Sequence, residues 1–105
     1  MALKVCRVTD PLNTGHGCDS TTTLATPSQS TVFAEGLLVS RKTDPTVSHE
    51  IPSGDECGSH TAQVNVGDQT VFTVGLPTAR VTDSTDSGAM TDGASTVFAL
   101  SLIHI

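Results

Sequence analysis

The chain has 105 residues and a formal net charge of −6, from 11 acidic and 5 basic residues. This length fits one small domain, residues 1–105, whose hydrophobic core is thin enough for a metal or a partner to be needed for stability. The negative charge repels phosphate backbones and anionic lipid headgroups, which argues against nucleic-acid binding and polybasic membrane anchoring.

Neither a membrane span nor a secretion signal is recognisable in the sequence. Its apolar runs are shorter than the roughly 18 to 20 residues that cross a bilayer, and Met1-Ala2-Leu3-Lys4 does not lead into an apolar signal core. We therefore expect synthesis in a cytoplasm. Three cysteines cannot all pair within one chain, so metal ligation has equal weight with a disulfide.

Composition predicts an all-β protein. The chain contains 17 Thr, 11 Val and 3 Ile, and such β-branched residues are stiff at χ1 and favour a pleated strand. Most of its polar residues are Thr, Ser and Asp rather than the helix-forming Glu and Lys.

The first predicted strand runs from Leu3 to Thr9 and ends at Asp10-Pro11, because the residue before a proline is restricted and Asp favours turns. The loop that follows contains Gly15-His16-Gly17-Cys18, where flanking glycines allow an imidazole to project from a sharply turning backbone. Residues 20–30 are rich in Ser and Thr, and we interpret them as a connection with an irregular strand rather than a domain boundary.

Two short motifs each occur three times, which predicts three internal repeats. In two copies the first motif is followed by a glycine, which predicts a β-hairpin. Glu35 lies just before one of these glycines, and we expect its side chain in solvent. Cys6 occupies a repeat position at which the other two copies have small residues, which predicts a tightly packed site for its side chain. The copies are Thr31-Val32-Phe33, Thr70-Val71-Phe72 and Thr96-Val97-Phe98 for the first motif, and Arg7-Val8-Thr9-Asp10, Arg41-Lys42-Thr43-Asp44 and Arg80-Val81-Thr82-Asp83 for the second.

The inserts between the repeats, residues 11–30, 45–69 and 84–95, differ in length and chemistry. The second insert holds His49, Cys57 and His60, whereas the third contains no His or Cys. His104 lies outside the repeats, in the apolar tail from Val97 to Ile105, which we expect the fold or a partner to cover.

Together these motifs resemble the PAAR-repeat family, whose members cap the central spike of contractile phage tails and type VI secretion systems. Pro77-Thr78-Ala79-Arg80 is similar to the Pro-Ala-Ala-Arg that names the family, and Arg80-Val81-Thr82-Asp83 to its Arg-Val-Gly-Asp. Ser30-Thr31-Val32-Phe33 and Ser95-Thr96-Val97-Phe98 resemble its Ser-x-Thr-Val-Phe. The likeness covers nearly the whole chain, but the turns lack the usual Asn-Gly and the first two copies lack the proline.

The resemblance implies a small cone of three β-hairpin repeats around a pseudo-threefold axis, with a structural zinc near the tip. The ligands that it implies are His16, His49, Cys57 and His60, a set that suits tetrahedral zinc and also accommodates iron. Two alternatives stay open. Either Cys18 replaces one of these ligands, or Cys18 and Cys57 are free thiols or a disulfide and the histidines lie on the surface.

The function that the resemblance implies is structural. The protein would cap and sharpen a trimeric central spike, which a contractile sheath drives through a target cell envelope. We expect a monomer that binds one spike trimer, contacts the envelope transiently and carries no fused toxin domain. Its expected location is a virion tail tip, or the bacterial cytoplasm before ejection, with delivery to the target envelope or periplasm.

Two other binding functions and an enzyme are alternative interpretations of the same residues. The alternatives are a type VI secretion tip that carries effectors and a small zinc-stapled baseplate binding module. Cys57 and His60 could be drawn as a nucleophile and a base, and His49 with Glu50 as an acid and base pair. Three short hairpins have little volume for a concave site, so we expect no enzyme.

Overall fold

The computed structural model describes residues 2–100 and builds them from short β-strands, which confirms the predicted all-β class. Within that range there is no helix, and so none long and apolar enough to span a membrane. For the part of the tail beyond residue 100, which includes His104, the predicted cover lies outside the described residues. The strands are β1 (Ala2–Lys4), β2 (Pro11–Asn13), β3 (Thr21–Thr23), β4 (Phe33–Ala34), β5 (Leu37–Leu38), β6 (His49–Ser53), β7 (Glu56–His60), β8 (Phe72–Thr73), β9 (Leu76–Pro77), β10 (Ser84–Thr85), β11 (Gly88–Met90) and β12 (Phe98–Leu100).

Two of the three repeats form local hairpins, as predicted, with shorter strands than the sequence pattern indicates. β4 pairs with β5 and β8 with β9 in matching registers, so that Phe33 is opposite Leu38 and Phe72 is opposite Pro77. Each turn has positive φ at both central residues, which is the type I′ geometry that fits strand twist. These residues are Glu35 (52°), Gly36 (82°), Val74 (47°) and Gly75 (84°).

The third Thr-Val-Phe segment pairs with the beginning of the chain instead of forming a local hairpin. β12 runs antiparallel to β1, with Phe98 opposite Lys4. The predicted strand from Leu3 to Thr9 is shorter than expected, because β1 ends at Lys4 and pairing continues only as isolated bridges at Val5 and Arg7. The third repeat is therefore assembled from segments far apart in sequence.

Backbone hydrogen bonds join the three copies in a closed ring. The amide of Cys6 donates to the carbonyl of Ala79 at 2.9 Å. The amide of Ala79 donates to the carbonyl of Ser40, and the amide of Ser40 to the carbonyl of Cys6, both at 3.0 Å. All three residues are buried, in agreement with the small packed site predicted at Cys6. Each copy thus depends on another for its backbone partners. A second set runs round the copies in the opposite order: the amides of Val8, Lys42 and Val81 donate to the carbonyls of Leu38, Pro77 and Lys4, respectively.

The same turn follows the ring residue in every copy. The backbone amide and Nε of an arginine both donate to one oxygen of the aspartate three residues later, at 2.7 to 3.2 Å. The threonine just before that aspartate has positive φ, which is strained for a β-branched residue. The pairs are Arg7–Asp10, Arg41–Asp44 and Arg80–Asp83, and the threonines are Thr9 (74°), Thr43 (78°) and Thr82 (80°).

A polar side chain anchors the start of each Thr-Val-Phe segment by accepting from two successive backbone amides, at 2.7 to 3.3 Å. In two copies this side chain comes from the same copy, but in the third it is Glu35 of another copy. The carboxylate of Glu35, expected in solvent, also accepts from Arg7 at 3.0 Å. The acceptors are Gln29 for Thr31 and Val32, Asp68 for Thr70 and Val71, and Glu35 for Ser95 and Thr96.

The core beneath the inserts is thin and draws on all three copies. The outgoing segment of each insert pairs with the returning segment of another, at Leu24 with Thr46, Val64 with Thr85, and Met90 with Leu12. These six residues are almost fully buried. The main cluster consists of Cys6, Leu12, Leu24, Val64, Ala79 and Met90, and a second one of Val5, Ala34, Val39, Ala94 and Ala99. Beyond this core the inserts are polar, and they carry the candidate site.

Candidate metal centre

Side chains from all three inserts converge on one point. The group consists of His16, His49, His60 and Asp86, whose potential ligand atoms all lie within 4.8 Å of one another. The three histidines are those predicted from the sequence, whereas the carboxylate belongs to the insert without His or Cys. These four side chains could hold a metal ion.

The backbone at Gly15 allows the first insert to approach the third. Gly15 has φ of 76°, and a Cβ there would overlap the carbonyl of Ser87. The amide of Ser87 in turn donates to the carbonyl of Thr14 at 2.9 Å. Glycine is therefore required for His16 to lie beside Asp86, which agrees with the predicted role of glycines around this imidazole.

His49 and His60 are placed by the longest hairpin of the fold. β6 and β7 pair over five residues, and His49 is directly opposite His60, so their side chains project from one face. Their ring centroids are 5.0 Å apart. The hairpin turns at residues 54 and 55, where Gly54 has φ of 63°. The sequence did not predict it, since residues 49–60 contain one β-branched residue, Ile51.

Asp86 is the fourth member and lies in the two-residue turn between β10 and β11, with φ of 57°. Its Oδ2 is 2.9 Å from Nε2 of His16 and 2.8 Å from Nε2 of His49. Its Oδ1 is 3.3 Å from Nε2 of His60. The carboxylate therefore faces all three rings.

Backbone carbonyls determine which nitrogen of two rings faces the centre. Nδ1 of His16 is 2.9 Å from the carbonyl of Gly17, and Nδ1 of His49 is 2.8 Å from that of Val47. A carbonyl oxygen only accepts, so each Nδ1 carries a proton and each neutral ring presents an Nε2 lone pair. These lone pairs, 3.3 Å apart and beside a carboxylate, need a cation among them, either protons or a metal.

The charges of the group also favour a cation. The hydrogen bond to the Gly17 carbonyl, together with Asp86 and against the effect of burial, raises the pKa of His16. Burial acts to raise the pKa of Asp86, but its hydrogen bonds with His49, His16 and His60 outweigh this and lower the pKa overall. Asp86 is consequently ionised at neutral pH.

The separation of the ligand atoms fits a small metal ion. With metal–nitrogen distances of about 2.0 to 2.1 Å, tetrahedral geometry places two nitrogens about 3.3 to 3.4 Å apart. The Nε2 atoms of His16 and His49 are 3.3 Å apart. Asp86 lies slightly closer to the rings than a shared metal would allow, so its side chain would have to withdraw by a few tenths of an ångström. Three imidazoles and a carboxylate suit zinc, iron and other divalent ions.

Cys57 does not join the histidines, because its sulfur is bonded to that of Cys18. Successive side chains of a strand project to opposite faces. Cys57 and His60 are three residues apart on β7, which places Cys57 on the face away from the centre. Of the possibilities left open by the sequence, the disulfide is the one found in the structure, while the histidines cluster rather than lying separately on the surface.

Asp86 is not among the predicted ligands, because that prediction rests on His and Cys residues. The threefold repeat is the sequence feature that could have identified Asp86. If each insert contributes to a shared point, the third must supply a ligand, and its acidic residues are Asp86 and Asp92. Asp92 follows β11 in the sequence, whereas Asp86 precedes it. Asp92 is exposed, and its Oδ1 is 3.9 Å from Nζ of Lys4.

Neither a scan against protein-family models nor a search of curated proteins gives a match to this chain. The resemblance to the PAAR-repeat family therefore depends on the sequence motifs.

Proposed function

We propose that this protein is the tip of a trimeric spike, which it caps and sharpens so that a contractile machine can drive the assembly through a cell envelope. The observation that carries the proposal is the closed ring of hydrogen bonds through Cys6, Ser40 and Ala79. Such a ring is what a cone with a pseudo-threefold axis requires. A single chain with three like faces can meet a threefold partner on all three sides.

Three phenylalanines supply the partner surface in this proposal. Phe33, Phe72 and Phe98 occupy the same position in the three copies and are 57%, 56% and 51% exposed. Equally exposed aromatic side chains at repeated positions favour burial against another protein. Along the chain, each ring residue comes between a phenylalanine strand pair and an insert. In the proposed cone the partner surface and the metal centre would therefore lie at opposite ends.

The metal centre has a mechanical role in the proposal, with zinc as the metal and iron as the alternative. His16, His49, His60 and Asp86 would hold it, and between them they belong to all three inserts. The inserts have too little apolar content to hold a sharp point by burial alone. A bound metal contributes its binding free energy directly to folding at such a place.

The proposed protein is a monomer until it binds one spike trimer. It would lie at a virion tail tip, or in the bacterial cytoplasm before ejection, and be delivered to the target envelope or periplasm. Its contact with the envelope would be transient.

The proposal is tested by mixing the purified protein with its cognate spike trimer and measuring the mass of the complex by light scattering. We expect one chain per trimer. Replacing Phe33, Phe72 or Phe98 with Ser should weaken binding roughly tenfold or more in each case. Val47→Ser, at an exposed apolar residue of the second insert, is the matched control and should bind normally. No complex, or three chains per trimer, would refute the proposal.

A further inference from the structure

The disulfide links two segments that carry residues of the metal centre. Cys18 is two residues after His16, and Cys57 is three residues before His60 on β7. Their Cα atoms are 6.0 Å apart, within the usual range for a disulfide, and 39 residues separate them in sequence. The bond therefore closes the first insert onto the hairpin formed by β6 and β7.

The loop of residues 15–20, which carries His16, has few other contacts with that hairpin, although Leu24 and Thr46 join the first insert to the second nearer the core. Residues 15–20 are all partly or fully exposed, so apolar burial contributes almost nothing. The remaining ties in this region are polar: the amide of Asp19 donates to the carbonyl of Glu50 at 3.1 Å, and the amide of Glu50 donates to Oδ2 of Asp19 at 2.8 Å. Exposed hydrogen bonds of this kind exchange readily with water. The disulfide therefore adds a covalent constraint to the polar contacts that place His16 beside His49 and His60.

Both half-cystines are accessible to reductants. Cys18 and Cys57 are exposed, whereas the third cysteine, Cys6, is fully buried in the core. Burial raises the pKa of the Cys6 thiol, with Asp10 adding to the effect, so Cys6 is a poor nucleophile. Among the three cysteines, thiol–disulfide exchange is therefore confined to the link between the first insert and the hairpin.

We propose that the Cys18–Cys57 disulfide is a redox-dependent lock on the metal centre, so that the oxidised protein binds Zn²⁺ more tightly than the dithiol form. The inference rests on the metal-binding part of the proposed function. In the oxidised form His16 is already held beside the other ligands. In the dithiol form residues 15–20 lose this covalent constraint, so ordering them when the metal binds costs free energy and weakens the affinity.

The lock closes by thiol–disulfide exchange with a small-molecule or protein disulfide. The thiolate of one cysteine attacks the incoming disulfide, forms a mixed disulfide and releases one thiol. The thiolate of the other cysteine then displaces the second thiol. Overall, two electrons pass from the cysteine pair to the incoming disulfide, and two protons pass to its leaving thiolates. A cytoplasm keeps the lock open, whereas an oxidising compartment such as a periplasm closes it.

Linkage makes the effect reciprocal. If the disulfide strengthens Zn²⁺ binding, saturating Zn²⁺ must stabilise the disulfide by the same factor. We expect a factor of about ten or more, in the usual range for coupled sites. For a two-electron couple, a tenfold factor corresponds to a fall of about 30 mV in reduction potential.

The experiment is a Zn²⁺ titration of the full chain by competition with a chromophoric chelator, with and without a non-thiol phosphine reductant. The dissociation constant should rise at least tenfold on reduction. Cys18→Ser/Cys57→Ser should behave like the reduced protein under both conditions. Cys6→Ala is the matched control and should keep the full redox response, since Ala79 occupies the equivalent ring position.

A redox titration in glutathione buffers at fixed free Zn²⁺ checks the reciprocal effect without any substitution. Equal Zn²⁺ affinity in both redox states would overturn the lock while leaving the metal centre intact. Tighter binding by the reduced protein would also overturn it, because a thiolate would then be a ligand. If neither the oxidised nor the reduced protein binds Zn²⁺, both the metal centre and the lock are refuted.

Discussion

Nε2 of His49 and Oδ2 of Asp86 lie 2.8 Å apart, although 37 residues separate them in sequence. The contact joins the second insert to the third, and the 2.9 Å contact between Oδ2 of Asp86 and Nε2 of His16 joins the third to the first. Asp86 is thus the residue through which the three inserts meet. Its carboxylate supplies the negative charge that a cluster of neutral imidazoles lacks.

Replacing Asp86 with Ala should remove bound metal and lower thermal stability together. The three rings would lose the anion that they share, so Zn²⁺ affinity should fall roughly tenfold or more. Elemental analysis beside thermal unfolding measures both quantities, and His60→Ala should act in the same direction. Asp55→Asn, in the exposed turn of the β6–β7 hairpin, is the control. Undiminished metal content in Asp86→Ala would exclude the carboxylate from the centre.

Gly15→Ala should be more damaging than Gly36→Ala, although both glycines have φ near 80°. At Gly36 no atom lies within 4 Å of the added Cβ, so only the backbone conformation is penalised, by about 1 kcal/mol. At Gly15 the Cβ also overlaps the Ser87 carbonyl, which separates the first insert from the third. Chemical unfolding and metal content distinguish the two variants. Equal losses would mean that the close approach at Ser87 is unimportant.

Thr82→Gly should stabilise the protein. Thr82 has φ of 80° and is exposed, so glycine relieves strain without loss of packing. The gain should be about 0.5 to 1 kcal/mol after allowing for the greater flexibility of glycine in the unfolded chain. Thr61→Gly, at an exposed threonine outside the positive-φ set, should destabilise instead. A loss of stability in Thr82→Gly would show that the turn tolerates threonine without cost.

Asp68→Asn should make the protein less sensitive to acid. Burial acts to raise the pKa of Asp68, but hydrogen bonds from Thr70 and Val71 and the charge of Arg80 lower it overall from 3.8. A lowered folded-state pKa contributes stability above about pH 4, which is lost as the pH falls through the folded value. Urea unfolding at pH 7 and pH 3 should therefore show a smaller difference in the asparagine variant.

The matched comparison for that variant is Asp68→Ala. Asparagine can keep both backbone contacts, as the amide oxygen of Gln29 does in another copy. Alanine leaves two backbone donors without their acceptor and should cost about 1 to 3 kcal/mol at pH 7. If asparagine and alanine are equally destabilising at pH 7, the charge of Asp68 matters more than its hydrogen bonds.

Local features of the fold could be predicted from the sequence, whereas the pairing between the two ends of the described chain could not. The recurring Thr-Val-Phe segments and the glycines after two of them predict the hairpins at β4–β5 and β8–β9. The pairing of β1 with β12 joins residues 2–4 to residues 98–100. A local sequence pattern does not indicate contacts between residues so far apart in sequence. The β6–β7 hairpin was missed because its residues have low strand propensity and tertiary contacts determine their conformation.

The candidate site was predictable in part for a similar reason. His16, His49 and His60 stand out in the sequence because histidine is rare in this chain, with four in all. Asp86 is one of many acidic residues, and only the fold distinguishes it. The position of Cys57 depends on the alternation of side chains along β7, which could be applied only once that strand was recognised.

The closed ring makes the protein indivisible. An open array of repeats can lose a terminal unit and keep the rest folded, but here every copy has a neighbour on both sides. During synthesis the edge of β1 stays unpaired until β12 has been made. The ring therefore closes only after β12 has left the ribosome, and the many contacts between distant residues favour slow folding. Recombination that deletes or duplicates one repeat should yield an unfolded chain rather than a smaller or larger ring.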